Sequence, residues 1–125
     1  MRSGTRLLLL CMIMYLSTGC NRNVTDKKEV CYSFDIRQCQ TDLFASAVDV
    51  KADISTREAE MKKWLEEKNI SISSINLKTN FHGMVCAACD TCPTQDRYFI
   101  TTSTTLSDTI STTLRLLNLE RISCD

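Results

Sequence analysis

The stretch Cys86-Ala87-Ala88-Cys89-Asp90-Thr91-Cys92-Pro93 places three thiols within seven residues, directly ahead of the chain's single proline. Thiols at this spacing support three chemistries. Oxidised, they form disulfides, and three further cysteines, Cys31, Cys39 and Cys124, match them in number. As thiolates at i, i+3 and i+6 they suit zinc or an iron–sulfur cluster, with Cys124 or His82 as a fourth ligand. As a dithiol, Cys86 and Cys89 make the C-x-x-C of a thiol–disulfide exchange enzyme. That site normally opens a helix within a βαβ unit, where the helix dipole lowers a thiol pKa.

The amino-terminal residues favour the first chemistry. Arg2 and Arg6 precede an apolar run over 7–16, and Ser17-Thr18-Gly19 supplies small residues at a cleavage point. The run is shorter than the roughly 20 residues that span a bilayer. Residues 1–19 therefore read as a secretory signal peptide, and an oxidising compartment turns spare thiols into disulfides. A bacterial lipoprotein would also retain Cys20, but its signal wants leucine three residues earlier, where Ser17 stands. Cleavage after Gly19 leaves Cys20 as an odd cysteine, available for an intermolecular bridge and a disulfide-linked dimer. Residues 20–30 read as an exposed polar arm and residues 31–125 as one disulfide-rich domain.

Six cysteines allow 15 connectivities. Closing a bond inside the cluster strands its third thiol, so the expectation is that Cys86, Cys89 and Cys92 each bond outward, to Cys31, Cys39 and Cys124. No metal and no cofactor are expected. Two sequons, Asn23-Val24-Thr25 and Asn69-Ile70-Ser71, are candidate glycan sites.

The elements that must carry this cluster read as mainly helical. Leu43, Phe44, Ala47 and Val48 recur at helical spacing within 31–50, which predicts a first helix there or one beginning at Thr41 or Asp42. Ser55 three residues before Glu58 reads as a capping box opening a helix over 56–68. Met61, Trp64 and Leu65 form its apolar face, with Lys62–Glu66 and Lys63–Glu67 outside. Trp64 reads as a core anchor. Residues 70–77 and 97–102 read as two short strands that pair. Ser103 or Thr104 is expected to cap a last helix over 105–121, with Leu106, Ile110, Thr113, Leu114 and Leu117 on one stripe. His82-Gly83 marks a turn, and His82, the one histidine, has no evident acid or nucleophile to recruit it. The predicted fold is a small disulfide-stabilised helical domain with one two-stranded β element. Its expected core is Leu43, Phe44, Val48, Met61, Trp64, Leu65, Ile110, Leu114 and Leu117.

Composition narrows the function. The 15 basic and 15 acidic residues balance, and losing Arg2 and Arg6 moves the charge to about −2. Neither nucleic acid nor an anionic membrane surface is favoured, and no second membrane-length apolar run follows the leader. There is no phosphate loop, nucleophile elbow, H-E-x-x-H or Rossmann glycine pattern, so the chain reads as a non-enzyme. The expectation is a secreted protein that binds another extracellular protein (receptor, channel or matrix), as a cytokine-like or pheromone-like ligand or a venom-type effector does. The alternatives are a matrix or coat component cross-linked through Cys20, and an exchange enzyme using Cys86 and Cys89. Intact-mass measurement of the exported chain is expected to show a new terminus at Cys20 or Asn21; retention of residues 1–19 would refute the leader.

Overall fold

The computed structural model describes residues 28–124. The leader, Cys20 and Asn23 lie outside the described residues. The chain runs β1 (Val30–Arg37), a 3-10 turn (Gln38–Gln40), α1 (Ile54–Glu67), β2 (Ile72–Lys78), β3 (Pro93–Thr102), α2 (Asp108–Leu114) and β4 (Leu117–Ile122). The strands form one sheet in the order β2-β3-β1-β4, with every neighbouring pair antiparallel. The expected mainly helical domain is thereby overturned. The 70–77 and 97–102 segments do lie side by side, as β2 and β3, but they are half of a four-stranded sheet. Helical crossovers leave β1 and β3, so two βαβ units interleave in the split, ferredoxin-like connection pattern.

Residues 31–50 do not form the expected first helix. Val30, Tyr32, Phe34 and Ile36 alternate with Cys31, Ser33, Asp35 and Arg37, the period-2 pattern of a strand. All eight residues are buried, because β1 is central and covered on both faces. Helix formation beyond it is blocked by left-handed backbone at Cys39 (φ 57°) and Gln40 (φ 54°). Residues 41–51 form turns, with the Val48 amide donating to the Phe44 carbonyl at 3.0 Å. Phe44 and Val48, four apart, still face the core, whereas Leu43 is 48% exposed and is not a core residue.

The helix predicted at 56–68 forms as α1, two residues earlier at its start. Its cap is Asp53 rather than Ser55. The Asp53 carboxylate accepts the Thr56 amide at 3.0 Å and the Thr56 hydroxyl at 2.8 Å, and Ser55 donates its hydroxyl to Asp53. Glu58 turns away from any capping box and accepts the Leu77 amide of β2 at 2.7 Å. The helix ends in a Schellman pair: Asn69 (φ 62°) donates to the Glu66 carbonyl at 2.9 Å and Ile70 to Leu65 at 3.1 Å.

The last predicted helix is also shortened. Ser107, not Ser103 or Thr104, caps α2 by accepting the Ile110 amide at 3.3 Å. Arg115 turns left-handed (φ 49°) after two turns, and the chain continues as β4 beside β1. In a longer helix the Arg115 carbonyl would accept from residue 119; here it accepts from the Arg37 guanidinium instead.

Both helices and the 41–51 turns cover one face of the sheet. Phe34 stacks on Tyr98 with ring centroids 5.3 Å apart, Phe44 meets Trp64 edge-on at 5.7 Å, and Met61, Leu65, Ile100 and Leu114 fill the remainder. Trp64 is thus a core residue, while Ile110 and Leu117 are only partly buried. Burial pushes the Tyr98 phenol up to about 12.

The Asp53 carboxyl is held well below the usual range, chiefly by the Ser55 hydroxyl and then by the Thr56 amide and hydroxyl. A depressed folded-state value stabilises the fold above the unfolded-state value of about 3.9, and that contribution fades as pH falls below it. Asp53→Ala is therefore expected to lower the Tm near neutral pH, with the gap to wild type narrowing below about pH 4. Thermal scans by circular dichroism test this, and equal Tm values near neutrality would refute it.

Candidate functional site

The sheet face opposite the helices carries the chain's unusual polar chemistry. Strand alternation sends Ser33 and Asp35 of β1 to this face, and the ladder sets Ser33 beside Phe99 and Asp35 beside Arg97. Asp35 is 0% exposed. Its Oδ1 lies 2.9 Å from His82 Nε2 and 3.7 Å from Arg97 Nε, and its Oδ2 accepts from Asn118 Nδ2 at 2.7 Å. Arg97 Nη2 donates to Ser33 Oγ at 2.8 Å and Glu120 Oε2 at 3.0 Å. A buried carboxylate is costly unless paired and hydrogen-bonded, and Asp35 meets that need with hydrogen-bond partners from two chain segments, His82 and Asn118, and with the Arg97 guanidinium at ion-pair distance.

Two backbone features supply those donors. Asn118 has left-handed backbone (φ 52°) at the irregularity where β4's pairing with β1 shifts between Ser33 and Asp35. The loop after β2 folds back over the face: the Phe81 and His82 amides both donate to the Gln95 carbonyl, at 2.6 and 3.2 Å. The loop thereby brings His82 to Asp35. The sequence offered no acid for His82, because 47 residues separate the two.

Aromatic rings and cations alternate beside this network. Arg97 Cζ sits 5.2 Å from the Phe81 ring centroid, Phe81 meets Phe99 edge-on at 5.6 Å, and Lys78 Nζ lies 4.9 Å over Phe99. Phe81 is 45% exposed and Met84, in the same loop, 94%. Next to them runs a shallow groove of about 310 Å³, lined by Asn76, Lys78, Phe99, Thr101 and Ile122 and by the bonded Cys31 and Cys124. Lys78 has no carboxylate partner among the described residues.

The cysteine cluster anchors this loop. The bonds are Cys31–Cys124, Cys39–Cys89 and Cys86–Cys92. The outward-only pairing expected from the sequence is corrected: Cys86 and Cys92 close on each other, and the stranded middle thiol, Cys89, reaches Cys39. This is geometrically open because the 86–92 segment turns, with the Cys92 amide donating to the Ala88 carbonyl at 3.0 Å. Cys86 and Cys89 do not form the C-x-x-C bond of an exchange enzyme. Among the described residues no group of three or more His, Cys, Asp or Glu is arranged to hold a metal ion. The second sequon's Asn69 is exposed just past α1. None of the described helices is long and apolar enough to cross a membrane.

No family model, curated protein or solved structure matches the chain.

Asp35→Asn keeps the side chain's size but removes the charge facing Arg97 and His82. Breaking a buried pair this way is expected to cost roughly 3–5 kcal/mol. Urea denaturation with an unchanged slope measures it; a loss under about 1 kcal/mol would show that Asp35 does not hold the face together.

Proposed function

We propose that this is a secreted, disulfide-held domain that binds another extracellular protein through the helix-free face of its sheet. The partner segment presents carboxylates to Lys78 and an apolar side chain to Phe81 and Phe99. The observation that carries this reading is the aromatic pair of exposed Phe81 and half-buried Phe99 fixed between two cations, one of which, Lys78, lacks an acid among the described residues. Aromatic rings with arginine make effective binding anchors when they are held in place. The Asp35 network and the disulfide-tethered loop hold them, which lowers the ordering cost of association. Charge complementarity selects an acidic partner over a neutral one.

Three disulfides and the leader-like amino terminus support export. The reading is that of an extracellular ligand or effector, without a catalytic role and, where the host glycosylates, with Asn69 as a sugar-bearing position.

Panning a displayed random-peptide library against the folded protein tests the face. Enriched peptides are expected to pair Asp or Glu with an aliphatic residue. Phe99→Ala and Lys78→Glu are each expected to weaken the best peptide by about tenfold or more. Lys62→Glu, on the helical side, is expected to leave affinity unchanged. Peptides indifferent to Phe99 and Lys78, or self-association through this face in sedimentation, would overturn the proposal.

A further inference from the structure

We propose that Cys39–Cys89 is a thiol-reactive bond, and that opening it passes a free thiol along the cluster to Cys92. The three disulfides differ in access. Cys31 and Cys92 are 7% and 3% exposed, so two of the bonds have one end buried. In Cys39–Cys89 both residues are exposed. Thiol–disulfide exchange requires an attacking thiolate to reach a sulfur, so access orders the bonds. Backbone conformation adds to this. Cys39 and Gln40 are consecutive left-handed non-glycine residues, a conformation that persists where surrounding structure imposes it. The Cys39–Cys89 bond and the Thr41 hydroxyl, which donates to the Cys89 carbonyl at 3.2 Å, are part of what imposes it.

The steps balance. The thiolate of a low-molecular-weight monothiol attacks Cys39 Sγ. The Cys39–Cys89 bond breaks, Cys39 keeps the incoming thiol as a mixed disulfide, and Cys89 leaves as a thiolate. Cys89 lies midway in the six-residue separation spanned by Cys86–Cys92. It attacks Cys86, the exposed end of that bond. A Cys86–Cys89 bond forms, and Cys92 leaves as a thiolate and takes a proton from water. One thiol is consumed and one is released. Cys92 remains held by its main-chain bonds to Ala88 and Gln38, at 3.0 and 2.9 Å, where a buried thiol is poorly reactive. The net change is one S-thiolated residue, Cys39, and a loop that has lost its covalent tie to the end of β1. This modification site goes beyond the binding reading and does not depend on it.

The test incubates the full exported chain with graded reduced glutathione, quenches with excess N-ethylmaleimide in denaturant at mildly acidic pH, so that buried thiols are alkylated before they exchange, and maps disulfides by mass spectrometry without reduction. At the lowest concentration giving any product, glutathione is expected on Cys39, maleimide on Cys92, and a Cys86–Cys89 cross-link, with Cys31–Cys124 intact. Label at Cys92 is expected to exceed that at Cys31 or Cys124 by at least about tenfold. In the Cys86→Ser, Cys92→Ser double variant the maleimide is expected to move to Cys89; the wild-type map decides the matter if that variant does not fold. Prior opening of Cys31–Cys124, simultaneous opening of all three bonds, glutathione on Cys89, or maleimide on Cys89 in the wild type would each overturn the proposal.

Discussion

The buried guanidinium of Arg37 ties the tertiary structure together. It stands at the end of β1 and reaches three chain segments that share no local sequence. One nitrogen meets Asp42 Oδ1 at 2.7 Å and also the Arg115 carbonyl, while Nε donates to the Asp90 carbonyl at 3.0 Å. The Arg37 amide adds a bond to Asp42 Oδ2 at 2.8 Å. Asp42 opens the turns that carry Phe44 and Val48 into the core. Asp90 belongs to the cysteine cluster, and Arg115 marks where α2 stops. Arginine suits this place because its planar fork serves several acceptors at once and stays charged when buried. Losing it would leave the Asp42 carboxylate buried and unpaired, which is the costly way to break such a pair.

From that clamp outward, the two faces of the sheet are built on different principles. The helical face is an ordinary apolar core in which aromatic and aliphatic side chains from β1, β3 and α1 interlock. The other face has no helix to cover it. Its central carboxylate is shielded instead by His82, Asn118 and Arg97, and its rings stand beside cations. Polar networks of this kind are directional, so they fix side-chain positions more narrowly than apolar packing does. That rigidity is what the proposed recognition role draws on, and the disulfide-tied loop contributes to it by delivering Phe81 and His82.

The covalent bonds share the work unevenly. Cys31–Cys124 closes a span of 93 residues and Cys39–Cys89 one of 50, against 6 for Cys86–Cys92. In the loop-closure picture the two long spans restrict the unfolded chain by roughly 4–5 kcal/mol each and the short one by about 2. The short bond therefore acts mainly by shaping the turn from which Cys89 reaches Cys39. A domain of this size, with one thin apolar layer, gains from such staples.

The amino-acid sequence by itself determined α1, whose apolar positions Met61, Trp64 and Leu65 recur at helical period, and the strand character of β2 and β3. The alternation over Val30–Arg37 was equally legible as a strand, but the helical spacing of Phe44 and Val48 just beyond it masked the signal. What only the tertiary structure decided depends on contacts between residues far apart in the chain. Whether the 105–121 stripe stays helical turns on Arg37 capturing the Arg115 carbonyl, 78 residues away. Whether His82 has an acid turns on the loop folding back across β3. The cysteine pairing likewise depends on where the 86–92 turn docks against residues 38–41. Local periodicity reports which face of an element is apolar; it carries no information about which distant donor will claim a carbonyl, a carboxylate or a sulfur.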